Sequence, residues 1–427
     1  MTVSEAIAYI ENQTWSKTRL GLGRTRTLLG LLGDPQRQLK FIHVTGSNGK
    51  GSCCAMFDAV LRAAGYRTGL YTSPYLEHFC ERIRVDGENI PEEDLARLTV
   101  RVKALADGMD DHPSQFELLT AIAMEYFRER QCEIVALEVG MGGALDSTNA
   151  IDAPELAVIA NIGLEHTQYL GDTLEKIAET KAGIIKPGCA CVCYDGPEEA
   201  VRVIRRVCRE KGVPLERADF SAVKCLYAGL DGQELLWRGR RYRLGLPGGH
   251  QLCNAALVLT GLEALRRRGW VIPETAAATG LRDVKWSARL EVLGRRPLFL
   301  LDGGHNPQCA AALSESLKQL LPGQRAVFLT GVLADKDYGA IMASLLPHAR
   351  EFLCVTPDSP RALPADALRS HLEQAGAKAE ACSSVPESVA LALERAGKDG
   401  VVVAFGSLYL AGAIRGAFRD IYSHGGI

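Results

Sequence analysis

The sequence predicts an α/β protein with mainly parallel sheets, divided into a large N-terminal domain (1–292) and a smaller C-terminal domain (293–427). Three observations carry this. Short apolar runs alternate with helix-length segments almost throughout, the rhythm of strand–helix units. Several runs, IVALEV (134–139) and LAVIANI (156–162) among them, are continuously apolar, as strands buried on both faces must be. The rhythm lapses over 214–246 and restarts after Arg289. At roughly 150 residues per domain the 427 residues allow two or three domains. The restart selects two.

Taken in order, FIHV (41–44) reads as a strand entering TGSNGKGS, followed by a helix from about Ser52 to Ala64. IVALEV and LAVIANI are the next strands, with Gly-rich GMGGALDSTN between them. TLEKIAETKAGII (173–185) reads as a helix, CACVCY (189–194) as a strand, and EEAVRVIRRVCREKG (198–212) as a helix closed by Gly212. Across 214–246, short alternating segments flank Asp231-Gly232, a hairpin signal. A helix follows over QLCNAALVLTGLEALRRRG (251–269). The second domain then brings PLFLLD (297–302) as a strand, CAAALSESLKQLL (309–321) as a helix, and RAVFLTGVL (325–333) and EFLCVT (351–356) as strands. Two more helices lead to VVVAF (401–405), the last strand.

Composition removes several functions. Lys+Arg 49 against Asp+Glu 51 gives a net charge of −2, with no basic block, so there is no electrostatic footprint for nucleic acid. No apolar run approaches the ~18 residues that span a bilayer, and the opening MTVSEAIAYIENQTW has neither a basic nor an apolar signal region. The 13 cysteines are scattered, odd in number and without a C-x-x-C pair, which suits a reducing cytoplasm. Cys189, Cys191 and Cys193 would share one strand face. They read as buried core rather than as a metal site, and the Cys53–Cys54 pair as small apolar packing in a helix.

The strongest local signal is Gly46-Ser47-Asn48-Gly49-Lys50-Gly51-Ser52 between a strand and a helix. Glycines let backbone N–H groups turn around phosphate oxygens, Lys50 adds a point charge, and the helix start adds its positive dipole end. The spacing is not that of the standard P-loop: two residues separate Gly46 from Gly49, and Ser52 stands two positions after Lys50. A loop handling ATP needs Mg²⁺ and hard oxygen ligands. Glu138, ending a buried strand, is placed to provide one, or to emerge into a solvated loop. His166, in NIGLEHTQYLGDT, also follows a buried strand, where histidines are more often structural. Lys181, beside Glu179 on its helix, reads by itself as a solvated lysine. Asp302 at the tip of PLFLLD could accept from ribose hydroxyls. No G-x-G-x-x-G precedes a helix there and G-x-S-x-G is absent, which disfavours nicotinamide, flavin and hydrolase readings.

Together, IHVTGSNGKGS, YTSPYLEHFCERI, FELLTA, LEVGMGGALDSTN, IGLEHTQYLGDTLEKIAETKAGIIKPG, GHQLCNAA, WSARLEV and DGGHNPQ resemble folylpolyglutamate synthase/dihydrofolate synthase, the folate branch of the Mur-ligase-like ATP-dependent amide ligases. The resemblance runs from about residue 20 to the C-terminus. It implies a P-loop N-terminal domain, a smaller Rossmann-like C-terminal domain and an active site in the cleft between them. It implies that Gly46, Asn48, Gly49, Lys50, Gly51 and Ser52 cradle ATP phosphates, and that Asn254, Arg289 and Asp302 meet adenine, phosphate and ribose. Ser52, Ser73, Glu138 and His166 would ligate Mg²⁺ in two sites, joined by a carbamylated Lys181, with a monovalent cation allowed. His305 would stand near the γ-phosphate and the incoming glutamate. Lys50, His166, Lys181 and His305 form the catalytic set. Tyr75, Arg82 and Asp146 would face the acceptor, and Ser407 would help to hold glutamate. The implied partners are ATP, L-glutamate and a folate or dihydropteroate, bound by a cytoplasmic monomer.

Three positions depart from the family text. Tyr75 stands where His is common, Ala144 where Arg is common, and Ser287-Ala288 where Pro-Gly usually precedes the arginine. Ala cannot replace a bidentate Arg. The departures leave the acceptor open among dihydropteroate, a tetrahydrofolate polyglutamate, both, or a non-folate acid served by a paralogous Mur-type ligase.

Overall fold

The computed structural model describes residues 1–13 and 21–424. The chain divides into two units. One comprises Met1–Lys224, Leu236–Arg243 and Leu252–Val284; the other comprises Cys225–Leu235, Leu244–Gln251 and Lys285–Ile427.

The first unit is built on strands β1 (Phe41–Thr45), β2 (Thr68–Tyr71), β3 (Ile83–Val85), β4 (Glu88–Asn89), β5 (Ile134–Glu138), β6 (Leu156–Ile159), β7 (Ala190–Cys193) and β8 (Leu215–Arg217). They form one sheet in the order β4-β3-β2-β5-β1-β6-β7-β8. From β2 to β8 the pairings are parallel; β3 and β4 join antiparallel at one edge. The central strands are buried along their whole length, which explains their unbroken apolar text. Helix Lys50–Ala63 follows β1 and is buried from Ser52 to Leu61. It crosses helix Glu274–Asp283 at Gly280, where a Cβ would lie 2.4 Å from the Val60 Cα. Only glycine permits that approach. Helix Glu198–Lys211 ends at Gly212, whose φ of 65° makes the left-handed cap its sequence announced.

Of the boundaries that differ from expectation, two do so for clear local reasons. The helix after β1 starts at Lys50 rather than Ser52, because Gly49, at φ 88°, already turns the chain into it. LAVIANI leaves the sheet at Ile159, and the Asn161 carbonyl accepts the Ser47 N–H at 2.6 Å instead of extending a ladder. Cys189, Cys191 and Cys193 are buried in the apolar core with Ile177, Ile185 and Ile204.

A three-stranded sheet of order β11-β10-β9 is made by β9 (Val223–Gly229), β10 (Gly232–Trp237) and β11 (Arg240–Leu244), with Asp231-Gly232 in the predicted hairpin. The second unit's six-stranded sheet contains β12 (Glu291–Arg295), β13 (Leu298–Asp302), β14 (Ala326–Thr330), β15 (Ala349–Cys354), β16 (Ala379–Ala381) and β17 (Val401–Phe405). Its order is β12-β13-β17-β14-β15-β16, parallel except for β12. The division at residue 293 runs through β12, whose antiparallel pairing with β13 keeps Glu291–Arg295 in the second unit. Among the described residues no helix is long and apolar enough to cross a membrane.

Candidate active site

In the first unit β1 lies between β5 and β6, and the chain crosses from one side of it to the other. That is the switch point at which open α/β sheets bind ligands, outside the carboxyl ends of the strands. Gly46 and Gly49 both adopt positive φ, 155° and 88°. A Cβ on Gly46 would lie 2.8 Å from the Ala160 Cβ, and one on Gly49 would lie 2.7 Å from Asn254 Oδ1. Asn254, expected at the adenine edge, therefore packs against the phosphate loop itself. Asn48 pairs with Asn161 as an isolated bridge. Buried Ser47 clasps the exit of β6: its Oγ donates to the Gly163 carbonyl (2.8 Å) and accepts the Gly163 N–H (3.0 Å). Lys50 Nζ donates to the carbonyls of Gly46 (2.9 Å) and Ser47 (3.4 Å), so the ammonium folds over the loop that carries it. Gly51 and buried Ser52 occupy the first turn of the helix, where unsatisfied N–H groups attract anions.

The carboxyl end of β5 brings in Glu138, paired in register with Val44 and only 5% exposed. Its Oε2 accepts the Ser73 N–H at 3.1 Å, joining two of the predicted metal residues. Lys181 corrects the reading of a solvated lysine. It is 1% exposed, and its Nζ donates to Glu165 Oε1 at 2.7 Å. Burial pulls the Lys181 ammonium down to about 8, with Glu165 opposing and Lys50 assisting. Burial would raise the Glu165 carboxyl, but Lys181 and Lys50 outweigh it and hold it at about 2. His166 follows directly, at φ 45°, as the cap of helix Thr167–Leu170. Lys50, Glu165, His166 and Lys181 thus form one electrostatic cluster.

Asp146, expected to face the acceptor, also holds its own loop. Its Oδ2 accepts the Met141 N–H (2.9 Å), and its Oδ1 accepts the Thr148 N–H (3.1 Å) and Oγ1–H (2.5 Å). Burial raises its pKa against those hydrogen bonds. Arg82 stacks over the rings of Tyr75 and Phe79, 5.1 and 5.2 Å from their centroids, and Tyr75 Oη donates to Glu11 at 3.1 Å. The Ala144 N–H donates to the Thr180 carbonyl at 2.9 Å, which anchors this departure beside the end of the Lys181 helix.

The second unit gathers its predicted residues at the carboxyl ends of β13 and β17. Arg289 Nη1 donates to the Ala288 carbonyl at 3.2 Å. Asp302, read as a ribose acceptor, already accepts the Leu290 N–H (2.9 Å) and the Gly304 N–H (2.8 Å). It therefore ties the Arg289 turn to the loop after β13, and each oxygen keeps a second lone pair. His305 Nδ1 lies 3.2 Å from the Gly303 carbonyl. Ser407 is buried before helix Leu408–His424, and its Oγ accepts the Tyr409 N–H at 3.2 Å, a helix-capping contact.

Models of known families cover most of the chain. The Mur ligase middle domain matches residues 44–261, and the Mur ligase glutamate ligase domain matches residues 288–408. Folylpolyglutamate synthase of Lacticaseibacillus casei is 36% identical over 430 residues, covering 97% of this chain and 98% of its own length. The chain belongs to the folylpolyglutamate synthase/dihydrofolate synthase family of Mur-type ligases. Dihydrofolate synthase/folylpolyglutamate synthase of Bacillus subtilis is 34% identical over 96% of this chain and 98% of its own. Among solved structures, E. coli FolC in complex with DHPP and ADP superposes with a TM-score of 0.87 at 28% identity, covering 99% of each chain. Mycobacterium tuberculosis folylpolyglutamate synthase complexed with ADP and AMPPCP gives 0.89 at 31% identity, covering 97% of this chain and 99% of that one. The activity is that of an ATP-dependent acid–amino-acid ligase.

This Mur-type site contains residues that the motif reading passed over. Glu165 stands in the quoted GLEHTQYLGDT segment, one position before His166, and its acid next to a histidine was the available signal. Ser47 and Gly163 are joined only through the fold. Among the described residues no three His, Cys, Asp or Glu side chains cluster so as to hold a metal ion by themselves. Mg²⁺ does not need such a cage: it keeps waters and phosphates and takes one or two carboxylates. The buried Glu138 carboxylate, on the strand beside the phosphate loop, fits that mode.

Proposed function

We propose that this ligase adds L-glutamate to the carboxylate of a folate or dihydropteroate through an acyl phosphate. The observation that supports it most is the buried Lys181–Glu165 pair, set in one charge cluster with Lys50 of the phosphate loop. An acceptor carboxylate oxygen attacks the γ-phosphorus of ATP; the bond to the β-phosphate oxygen breaks and ADP leaves. The glutamate amine then attacks the acyl carbon, loses its proton, and the tetrahedral intermediate expels inorganic phosphate. In this reading Lys50, the N–H groups of Gly46–Ser52 and Arg289 offset charge on the transferring phosphoryl group. Asn254 and Asp302 orient the nucleoside, His305 sits at the γ-phosphate and glutamate, and Arg82 on its aromatic shelf meets the acceptor with Tyr75.

Ser52, Ser73, Glu138, His166 and a carbamylated Lys181 would hold Mg²⁺, which supplies Lewis-acid neutralisation of the phosphates when bound. With its pKa near 8, Lys181 carries more free amine at neutral pH than an exposed lysine does, and free amine is the form that attacks CO₂. The ammonium gives up one proton to become that amine and a second on forming the carbamate, so two protons leave and a cation is exchanged for an anion among the phosphates.

The test is phosphate release by purified protein. ATP turnover should depend on both glutamate and an acceptor, dihydropteroate or tetrahydrofolate. Failure of both acceptors would reject the folate reading and favour a non-folate acid. Lys181→Ala should lower turnover by roughly 10²-fold or more with ATP binding retained; unchanged turnover would return Lys181 to a structural role.

A further inference from the structure

Arg289 sits in a turn whose residues resist the conformation it needs. Ala288 has φ 53° and Leu290 has φ 50°, so the arginine is flanked on both sides by non-glycine residues in the left-handed region. Such backbone persists only where its surroundings over-determine it. Here they do so with three hydrogen bonds. The Ala288 N–H donates to Glu291 Oε2 at 2.8 Å, the Leu290 N–H donates to Asp302 Oδ2 at 2.9 Å, and the Gly303 N–H donates to the Ala288 carbonyl at 2.9 Å. Glu291 is itself held: its Oε1 pairs with Arg415 Nη2 at 3.3 Å, from helix Leu408–His424. The side chains of Glu291 and Arg415 are 21% and 32% exposed, so the pair is only partly screened by solvent.

We propose that Glu291 is the positioning residue for Arg289. It locks the strained turn that aims the guanidinium, and Arg415 holds the Glu291 carboxylate in the geometry that does so. The proposal rests on the reading of Arg289 as a nucleotide-phosphate contact. Glu291 acts on nucleotide affinity through the backbone of residue 288, without touching the substrate.

Steady-state kinetics on the full chain, with a nucleotide-binding isotherm for ADP, test it. Glu291→Ala should raise the KM for ATP and the Kd for ADP about tenfold, or about 1.4 kcal/mol, while the KM for glutamate stays within about twofold. Glu291→Gln keeps an acceptor for the Ala288 N–H but loses the Arg415 pair, and should fall between. The decisive variant is Ala288→Gly in the Glu291→Ala background. Glycine makes both hands of the turn accessible, so the double variant should recover much of the lost nucleotide affinity. General loss of stability would not be repaired in that way. Should Glu291→Ala fold poorly, Arg415→Met reads the same effect at a smaller size. ATP kinetics unchanged in Glu291→Ala, or a loss that Ala288→Gly does not relieve, overturns the proposal. Arg289→Ala separates the two layers. If it leaves ATP kinetics unchanged, the phosphate reading fails; if it impairs them while Glu291→Ala does not, only the positioning role fails.

Discussion

The turn after β1 and the turn around Arg289 meet the same backbone demand in opposite ways. At the phosphate loop the positive-φ positions are Gly46 and Gly49, with neighbours packed so close that a Cβ has no room. Around Arg289 the left-handed positions are Ala288 and Leu290, each costing about 1–2 kcal/mol relative to ordinary backbone. Hydrogen bonds to charged acceptors contribute roughly 1.5–3 kcal/mol each, so Glu291 and Asp302 together can offset that strain. The first turn needs glycine because Ala160 and Asn254 press on it, and it is intolerant of change. The second is held by hydrogen bonds to Glu291 and Asp302, and it can be tuned through them.

The largest effect should come from forcing the first turn to resemble the second. Gly49→Ala places a methyl 2.7 Å from Asn254 Oδ1 at φ 88°, with no acidic side chain arranged to hold the strain. The loop or the Asn254 side chain must shift, and alanine is strained at that φ in either case; a displacement of about 1 Å at a phosphate site can cost roughly 10²-fold in rate. A loss of that size in kcat/KM for ATP is expected from steady-state assays. Near-wild-type kinetics would mean the phosphate loop tolerates what the Arg289 turn tolerates, and the contrast would disappear.

The same contrast explains what could be read from the sequence. Gly46 to Ser52 are contiguous, and their strand–loop–helix setting is written in neighbouring residues, so the form of that loop was legible. Lys181 was not. Its text, beside Glu179 on a helix, looks solvated, whereas the folded chain buries it and pairs it with Glu165, 16 residues earlier. Asp146 and Asp302 illustrate a second limit. Asp302, at a strand end, reads as a ligand contact, and the resemblance gave Asp146 an acceptor-facing role; both also serve backbone N–H groups of nearby turns, a use that requires knowing the loop's path. The sequence shows Ala288 only as a departure beside an arginine. Its meaning appears only with its φ, because the usual glycine would have met the left-handed turn without strain.

A second, smaller effect separates the two turns by pH. The strand leading into the phosphate loop carries His43, fully buried, whose Nε2 lies 2.9 Å from Thr148 Oγ1. Thr148 gives its only hydroxyl hydrogen to Asp146, so His43 donates from Nε2 and keeps Nδ1 as a buried acceptor without a partner. Burial, aided by Lys186, pushes the imidazole down to about 3. Because the folded pKa lies below the unfolded one, the unfolded state takes up the proton first. Stability is complete above about pH 6.5 and is lost as pH falls, by about 2 kcal/mol at pH 5. His43→Gln keeps a donor for Thr148 and removes the titration. Urea unfolding at pH 7.5 and 5.0 should show the variant losing about 2 kcal/mol less than the parent protein between the two. Equal losses would sink the assignment.

The smallest effect runs in the opposite direction to Gly49→Ala. Ala288→Gly removes left-handed strain of about 1–2 kcal/mol but adds unfolded-state freedom worth roughly 0.5–1 kcal/mol. The Ala288 side chain is a single buried methyl, so its loss subtracts somewhat further. The balance should be a slight stabilisation, about 0.5 kcal/mol or less, read as a small rise in Tm. ATP kinetics should hardly move in this single variant, because Glu291 and Asp302 already hold the turn when alanine is present. A clear loss of stability would mean that residue 288 is not strained. The two turns would then differ only in composition, and Glu291 would have nothing to hold in place.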